Sequence, residues 1–123
     1  MREIRFRAWD NETKSLFQVV AFSCWDDKTN DWTDTITKVQ DCNGNWYKDF
    51  VLMQYTGLLD KNRKEIYEGD VLRWDGSVVG EVSFEHCEYI VGKGVDARAL
   101  CNASDEIETI GNLYENPELL DSE

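Results

Sequence analysis

Apolar and polar residues alternate at period two in short runs, each ended within a few residues by Gly, Asn or Asp. This is the feature that most narrows the fold. Successive side chains of a strand face opposite ways, so such a run buries one side and wets the other. In Ile4-Arg5-Phe6-Arg7-Ala8 the apolar residues share one face and the arginines the other. Asp10-Asn11-Glu12-Thr13-Lys14 then supplies turn residues, and Leu16 to Phe22 is expected as the hairpin partner. Arg2, Arg5 and Arg7 make a small basic stripe, expected to pair with acids across strands rather than to hold a phosphate.

From Ser23 to Thr35 neither a strand nor a helix period survives, which predicts a long loop carrying Trp25 and Trp32. Two tryptophans in a loop either pin it to the body or present a binding surface. Pinning is the expectation, because exposed Trp pairs are uncommon without a partner. Trp25, Trp32 and Trp46 are nevertheless the candidate binding residues. Asn43-Gly44, between Ile36–Cys42 and Trp46–Phe50, is the clearest hairpin signal and suggests a type I′ turn. Residues 50–55 are apolar but too short to settle as strand or helix, and Thr56-Gly57 is read as their end.

Beyond Gly57 come further short strands: Glu65–Tyr67, Val71–Trp74, Val78–Phe84, Glu88–Val91 and Glu106–Ile110. Glu68-Gly69-Asp70 is read as a corner, in which Gly permits the turn and Asp accepts backbone N–H groups. Residues 96–105 are ambiguous, with one helical turn around Ala97 to Leu100 as the alternative. Asn116-Pro117-Glu118 has the residue order of a helix start, with Asn as the cap. The expected fold class is therefore mainly β with minor α. An N-terminal β-rich region, 1–56, packs with a small C-terminal barrel, 57–123, either as two parts or as one compact unit.

The charge is unevenly placed. Residues 1–64 carry ten Lys/Arg and ten Asp/Glu, while residues 65–123 carry three against fifteen, so the whole net charge of −12 lies there. Such a half repels phosphate backbones and suits basic partners or plain solubility. The four cysteines, Cys24, Cys42, Cys87 and Cys101, are spaced too widely for a zinc pair. With no signal-like leader read at Met1-Arg2-Glu3, four reduced thiols in a cytoplasm are expected.

Four stretches in order resemble the YopX family. They are Arg5-Phe6-Arg7-Ala8-Trp9-Asp10, Leu52 to Leu58, Lys64 to Val71, and Ile110 to Leu120. The resemblance implies an SH3-like barrel in the second half and an origin in phage and prophage genomes. It implies no catalytic residue. One departure stands out: the family commonly has Asn-Gly where this chain has Asn62-Arg63. A left-handed Arg63 would be strained, so either the turn differs or Asn62 alone takes that conformation.

No catalytic or metal constellation is legible. His86 and Cys87 are adjacent, so on a strand they face opposite ways and the imidazole cannot readily activate the thiol. Asp26, Asp27 and Asp31 lack the calcium-loop layout. Neither an enzyme nor a cofactor is expected. Three classes remain: a protein-interaction module with an unidentified protein partner, an acidic decoy imitating DNA, and a nucleic-acid-binding barrel. The first is favoured, nucleic acid is disfavoured as a partner, no membrane association is expected, and self-association stays open.

Overall fold

The computed structural model describes residues 4–74, 77–85, 88–92, 98–99 and 107–121. The fold is all-β apart from one four-residue helix among these residues. The chain divides into two compact units, Arg5–Met53 and Gln54–Glu123 with Met1–Ile4, and the boundary falls inside one long strand.

The N-terminal unit contains β1 (Phe6–Asp10), β2 (Ser15–Gln18), β3 (Ala21–Ser23), β4 (Trp25–Asp26), β5 (Asp31–Trp32), β6 (Lys38–Gln40), β7 (Trp46–Tyr47) and the start of β8 (Phe50–Leu59). β1 pairs with β2 as expected, with Ala8 opposite Phe17 and Trp9 opposite Leu16. The expected second strand breaks in two at Val19-Val20. Its latter part, β3, pairs with β6, and β6 with β7. Phe22, Val39 and Tyr47 lie opposite one another on one face of that small sheet. Phe22 meets Phe6 edge-on at 5.3 Å and Tyr47 stacks on Phe17 at 4.3 Å, so aromatic pairs fasten the sheet to the β1–β2 hairpin.

Two expectations fail in this unit. The alternation read along the first strand does not hold at Arg7, which is 7% exposed, while Arg5 is exposed and Arg2 lies outside the described residues. β1 has β2 on one side and β8 on the other, and its last four residues are buried without alternation. Residues 23–35 are not a loop either: Trp25 and Asp26 pair with Trp32 and Asp31 as a miniature hairpin.

The C-terminal unit holds the rest of β8, then β9 (Glu65–Tyr67), β10 (Asp70–Trp74), β11 (Ser77–Glu85), β12 (Glu88–Val91), β13 (Arg98–Ala99), β14 (Ile107–Asn112) and α1 (Glu118–Asp121). Thr56-Gly57 does not end β8. Gly57 adopts φ 89° inside it, and the pairing with β9 slips there. The helical alternative for residues 96–105 is replaced by strand at Arg98–Ala99, and the remaining positions lie outside the described residues.

Five strands form one antiparallel sheet in the order β13-β12-β11-β10-β14. A four-strand meander whose fifth strand returns beside the first is compatible with an SH3-like barrel. β10 meets register shifts on both flanks, next to Leu72. Bulges bend and twist strands, which curls the sheet around its core. Ile66, Leu72, Val82, Val91 and Ile107 form that core, each worth about 1.5–3 kcal/mol of burial. Gly80 is the close approach: a Cβ there would stand 2.9 Å from the Gly92 backbone.

The turns share one device, an acidic side chain at a strand end that accepts the amides of its own loop. Asp41 Oδ1 accepts the Asn43 and Asn45 N–H groups at 2.9 and 3.0 Å. Asp60 Oδ1 accepts those of Asn62 and Lys64 at 2.8 and 2.9 Å. In both loops the residue three after the Asp donates to its backbone carbonyl and is left-handed: Gly44 at φ 87°, Arg63 at φ 67°. The Asn43-Gly44 turn is therefore a three-residue loop with Gly at the left-handed position, not type I′. The strained residue in the second loop is Arg63 and not Asn62. Asp10 and Asp26 close four-residue loops in the same way, ending on left-handed Lys14 and Asn30.

The expected corner at Glu68-Gly69-Asp70 is present and fully engaged. Glu68 Oε1 accepts the Gln54 N–H at 2.7 Å, Asp70 Oδ2 accepts that of Tyr67 at 2.8 Å, and Gly69 turns at φ 87°. Near the C-terminus, Asn116 bonds back to the Asn112 amide at 3.3 Å.

Two outcomes follow for urea unfolding. Arg63→Gly removes a left-handed penalty of about 1–2 kcal/mol and adds a glycine entropy cost of about 0.5–1, so it stabilises by roughly 0.5–1 kcal/mol. A lower midpoint would contradict the matched-turn assignment. Asp60 is 2% exposed, and its other oxygen accepts the Thr109 N–H at 3.0 Å. Asn has one acceptor oxygen and cannot serve both sides, so Asp60→Asn should cost about 2–3 kcal/mol. A loss below about 0.5 kcal/mol would show that the carboxylate is dispensable.

Candidate functional site: a tryptophan–lysine cleft

The outer face of the β3-β6-β7 sheet is set by its inner one. Because Val39 points inward, Lys38 and Gln40 point outward, and Trp46 lies opposite Gln40 on that side. Lys38 and Trp46 are thus diagonal neighbours, and the Lys38 ammonium stands 5.5 Å from the Trp46 ring centre.

Beside this face the β4–β5 hairpin closes a cleft of about 310 Å³. Trp25, Asp27, Lys28, Thr37, Lys38 and Lys48 line it. Thr37 donates its hydroxyl to backbone carbonyls of Ser23 and Trp25, which ties the hairpin's base to the start of β6. At the hairpin tip Asp26 accepts the Lys28 N–H at 2.8 Å, and left-handed Asn30 closes the loop. Asp27 is thereby presented toward the two lysines. It accepts from Lys48 Nζ at 3.0 Å and lies 4.0 Å from Lys38 Nζ. The Lys48 hydrogen bond and then the nearby Lys38 charge hold the Asp27 carboxyl below its usual range. Lys28 has no ion-pair partner among the described residues.

The three candidate tryptophans divide. Trp25 lines the cleft and is half-buried, with Trp32 edge-on to it at 5.1 Å. Trp32 is 68% exposed and Trp46 45% exposed, and neither lines the cleft. Pinning therefore describes Trp25 better than Trp32. Missed from the sequence were Lys38, Lys48 and Asp27 as a group. Asp27 and Lys48 are 21 residues apart, and no local spacing announces their contact.

Elsewhere, Cys24 and Cys42 are free thiols, while His86, Cys87 and Cys101 lie outside the described residues. Among the described residues no group of three His, Cys, Asp or Glu is placed to hold a metal ion. No helix among them is long and apolar enough to cross a membrane.

No curated protein matches the chain. Among solved structures, the crystal structure of protein EF1440 from Enterococcus faecalis is similar, with 25% identity and a TM-score of 0.55. The likeness covers 98% of this chain and 99% of that one. A family model described as YopX protein matches residues 5–121, nearly the whole sequence. The chain belongs to the YopX family.

Proposed function

We propose that this chain is a non-enzymatic accessory protein of phage or prophage origin. In this reading it works in the bacterial cytoplasm as a protein-interaction module, docking through the cleft face of its N-terminal unit. The observation that carries the reading is the exposure of Trp32 and Trp46 beside a cleft framed by Trp25, Lys38 and Lys48. Large aromatic side chains left in water at the rim of a polar cleft are the usual anchors of an interface.

Two observations weigh against the other classes. Nucleic-acid binding through the barrel would draw help from Arg2, Arg5 and Arg7, and of these Arg5 is exposed but Arg7 is buried. A DNA-like decoy needs uncommitted carboxylates in residues 65–123. Three of the fifteen acids there are already engaged: Asp70 is 1% exposed, Glu68 is bonded to a backbone amide, and Glu108 accepts from Arg73 at 3.0 Å.

The test is affinity capture from a bacterial lysate with the tagged chain and its Trp32→Ala/Trp46→Ala variant. The expected result is a stoichiometric protein that the variant loses while its circular dichroism spectrum and cooperative unfolding show that it remains folded. Equal capture by both, or repeated capture of nothing, would overturn the reading.

A further inference from the structure

The bond between Asp27 and Lys48 joins two exposed side chains across two separate loops. Their side chains are 50% and 69% exposed. Exposed pairs of this kind contribute little, since the charges are almost as well served by water. The hairpin that holds Asp27 has strands of only two residues, too short for much stability of its own. Lys38 is different: its side chain is 22% exposed and held over Trp46, so its ammonium is fixed at the cleft wall whether or not Asp27 is present.

The cleft therefore has two ammonium groups, one packed against Trp46 and one exposed, sharing a weakly bound internal carboxylate. Lys28 adds a third cation at the rim, so three lysines stand against Asp26 and Asp27. This is the arrangement of a carboxylate site filled by its own chain.

We propose that the cleft takes an acidic peptide segment of a protein partner, one carboxylate of which replaces Asp27 at Lys38 and Lys48 while an adjoining side chain lies against Trp25. The proposal rests on the docking face described above and names the chemistry of its occupant. Charge complementarity favours a short acidic peptide over a nucleic acid. Tracking a phosphate backbone needs a continuous basic groove, whereas about 310 Å³ accommodates one or two side chains.

The test uses fluorescein-labelled hexaglutamate with the full chain, read by anisotropy at about 25 mM salt. Hexalysine and a twelve-residue oligothymidylate are the comparison probes. Saturable binding of hexaglutamate is expected, abolished at about 300 mM salt. Asp27→Asn should strengthen it several-fold by releasing both lysines. Lys38→Ala/Lys48→Ala should weaken it at least tenfold. Lys48→Ala alone, at an exposed position that the fold does not use, should weaken it at least threefold.

Absence of hexaglutamate binding would overturn the proposal. So would binding indifferent to all three variants, or tighter lysine-dependent binding of the oligothymidylate. Failure here with tryptophan-dependent capture intact would remove the acidic occupant and leave the docking face standing. Success here with tryptophan-independent capture would do the reverse.

Discussion

The structure depends on carboxylates that face inward at the ends of strands. A loop of three or four residues leaves amide N–H groups that the strand ladder on either side cannot satisfy, after the short β4 and β6 and after the longer β1 and β8 alike. Asp10, Asp26, Asp41 and Asp60 each accept such N–H groups two to four residues ahead. Asp60 does more, because its second oxygen reaches the Thr109 amide on β14 and joins the β8–β9 turn to the five-stranded sheet. Asn112 repeats the arrangement with an amide, accepting from the Tyr114 and Glu115 N–H groups.

This use of acids changes what the acidity of the chain means. Asp10, Asp41, Asp60 and Asp70 are buried and committed to backbone donors, so the total charge overstates what the surface offers a partner. In the N-terminal unit the consequence is local. Where turn carboxylates point inward, the lysines beside the β4–β5 hairpin stand out, with Asp27 as their nearest counter-ion. The cleft is thus a by-product of the same economy of strand ends that builds the fold. Trp25, the tryptophan that lines it, sits on the hairpin with the shortest strands.

Much of the architecture was legible before the structure. Period-two alternation located β1, β11 and β14, and short runs between turn residues located β9, β10 and β12, each to within a few residues; the Glu68-Gly69-Asp70 corner has the bonding its residue types imply. The remainder fails for physical reasons. Two-residue strands leave no period, so Trp25-Asp26 and Asp31-Trp32 read as loop. Burial of Arg7 follows from the central place of β1 between two neighbours, which alternation cannot convey. Arg63 is left-handed because Asp60 accepts the N–H groups on either side of it, a side-chain effect that overrides the residue's own preference. The cleft was illegible because it is made by residues brought together from three separate loops and strands.

Turn carboxylates, ionised and amide-bonded, hold the fold together. The Thr13 hydroxyl chiefly holds the Asp10 carboxyl below the ordinary aspartate range, and that of Tyr47 does the same for Asp41. For Asp60, burial pushes the value up, but the Thr109, Lys64 and Asn62 amides outweigh it and the net shift is downward. Carboxyls depressed in the folded state stabilise it fully above their unfolded value, and that stability is lost as pH falls through the folded value. The direct measurement is the urea midpoint from about pH 7 to about pH 2.5 at low protein concentration. The midpoint should stay level or rise down to about pH 5, as self-repulsion eases, then fall steeply below about pH 4, and Asp60→Asn should make that fall shallower. A midpoint that stays level to about pH 2.5 would contradict it.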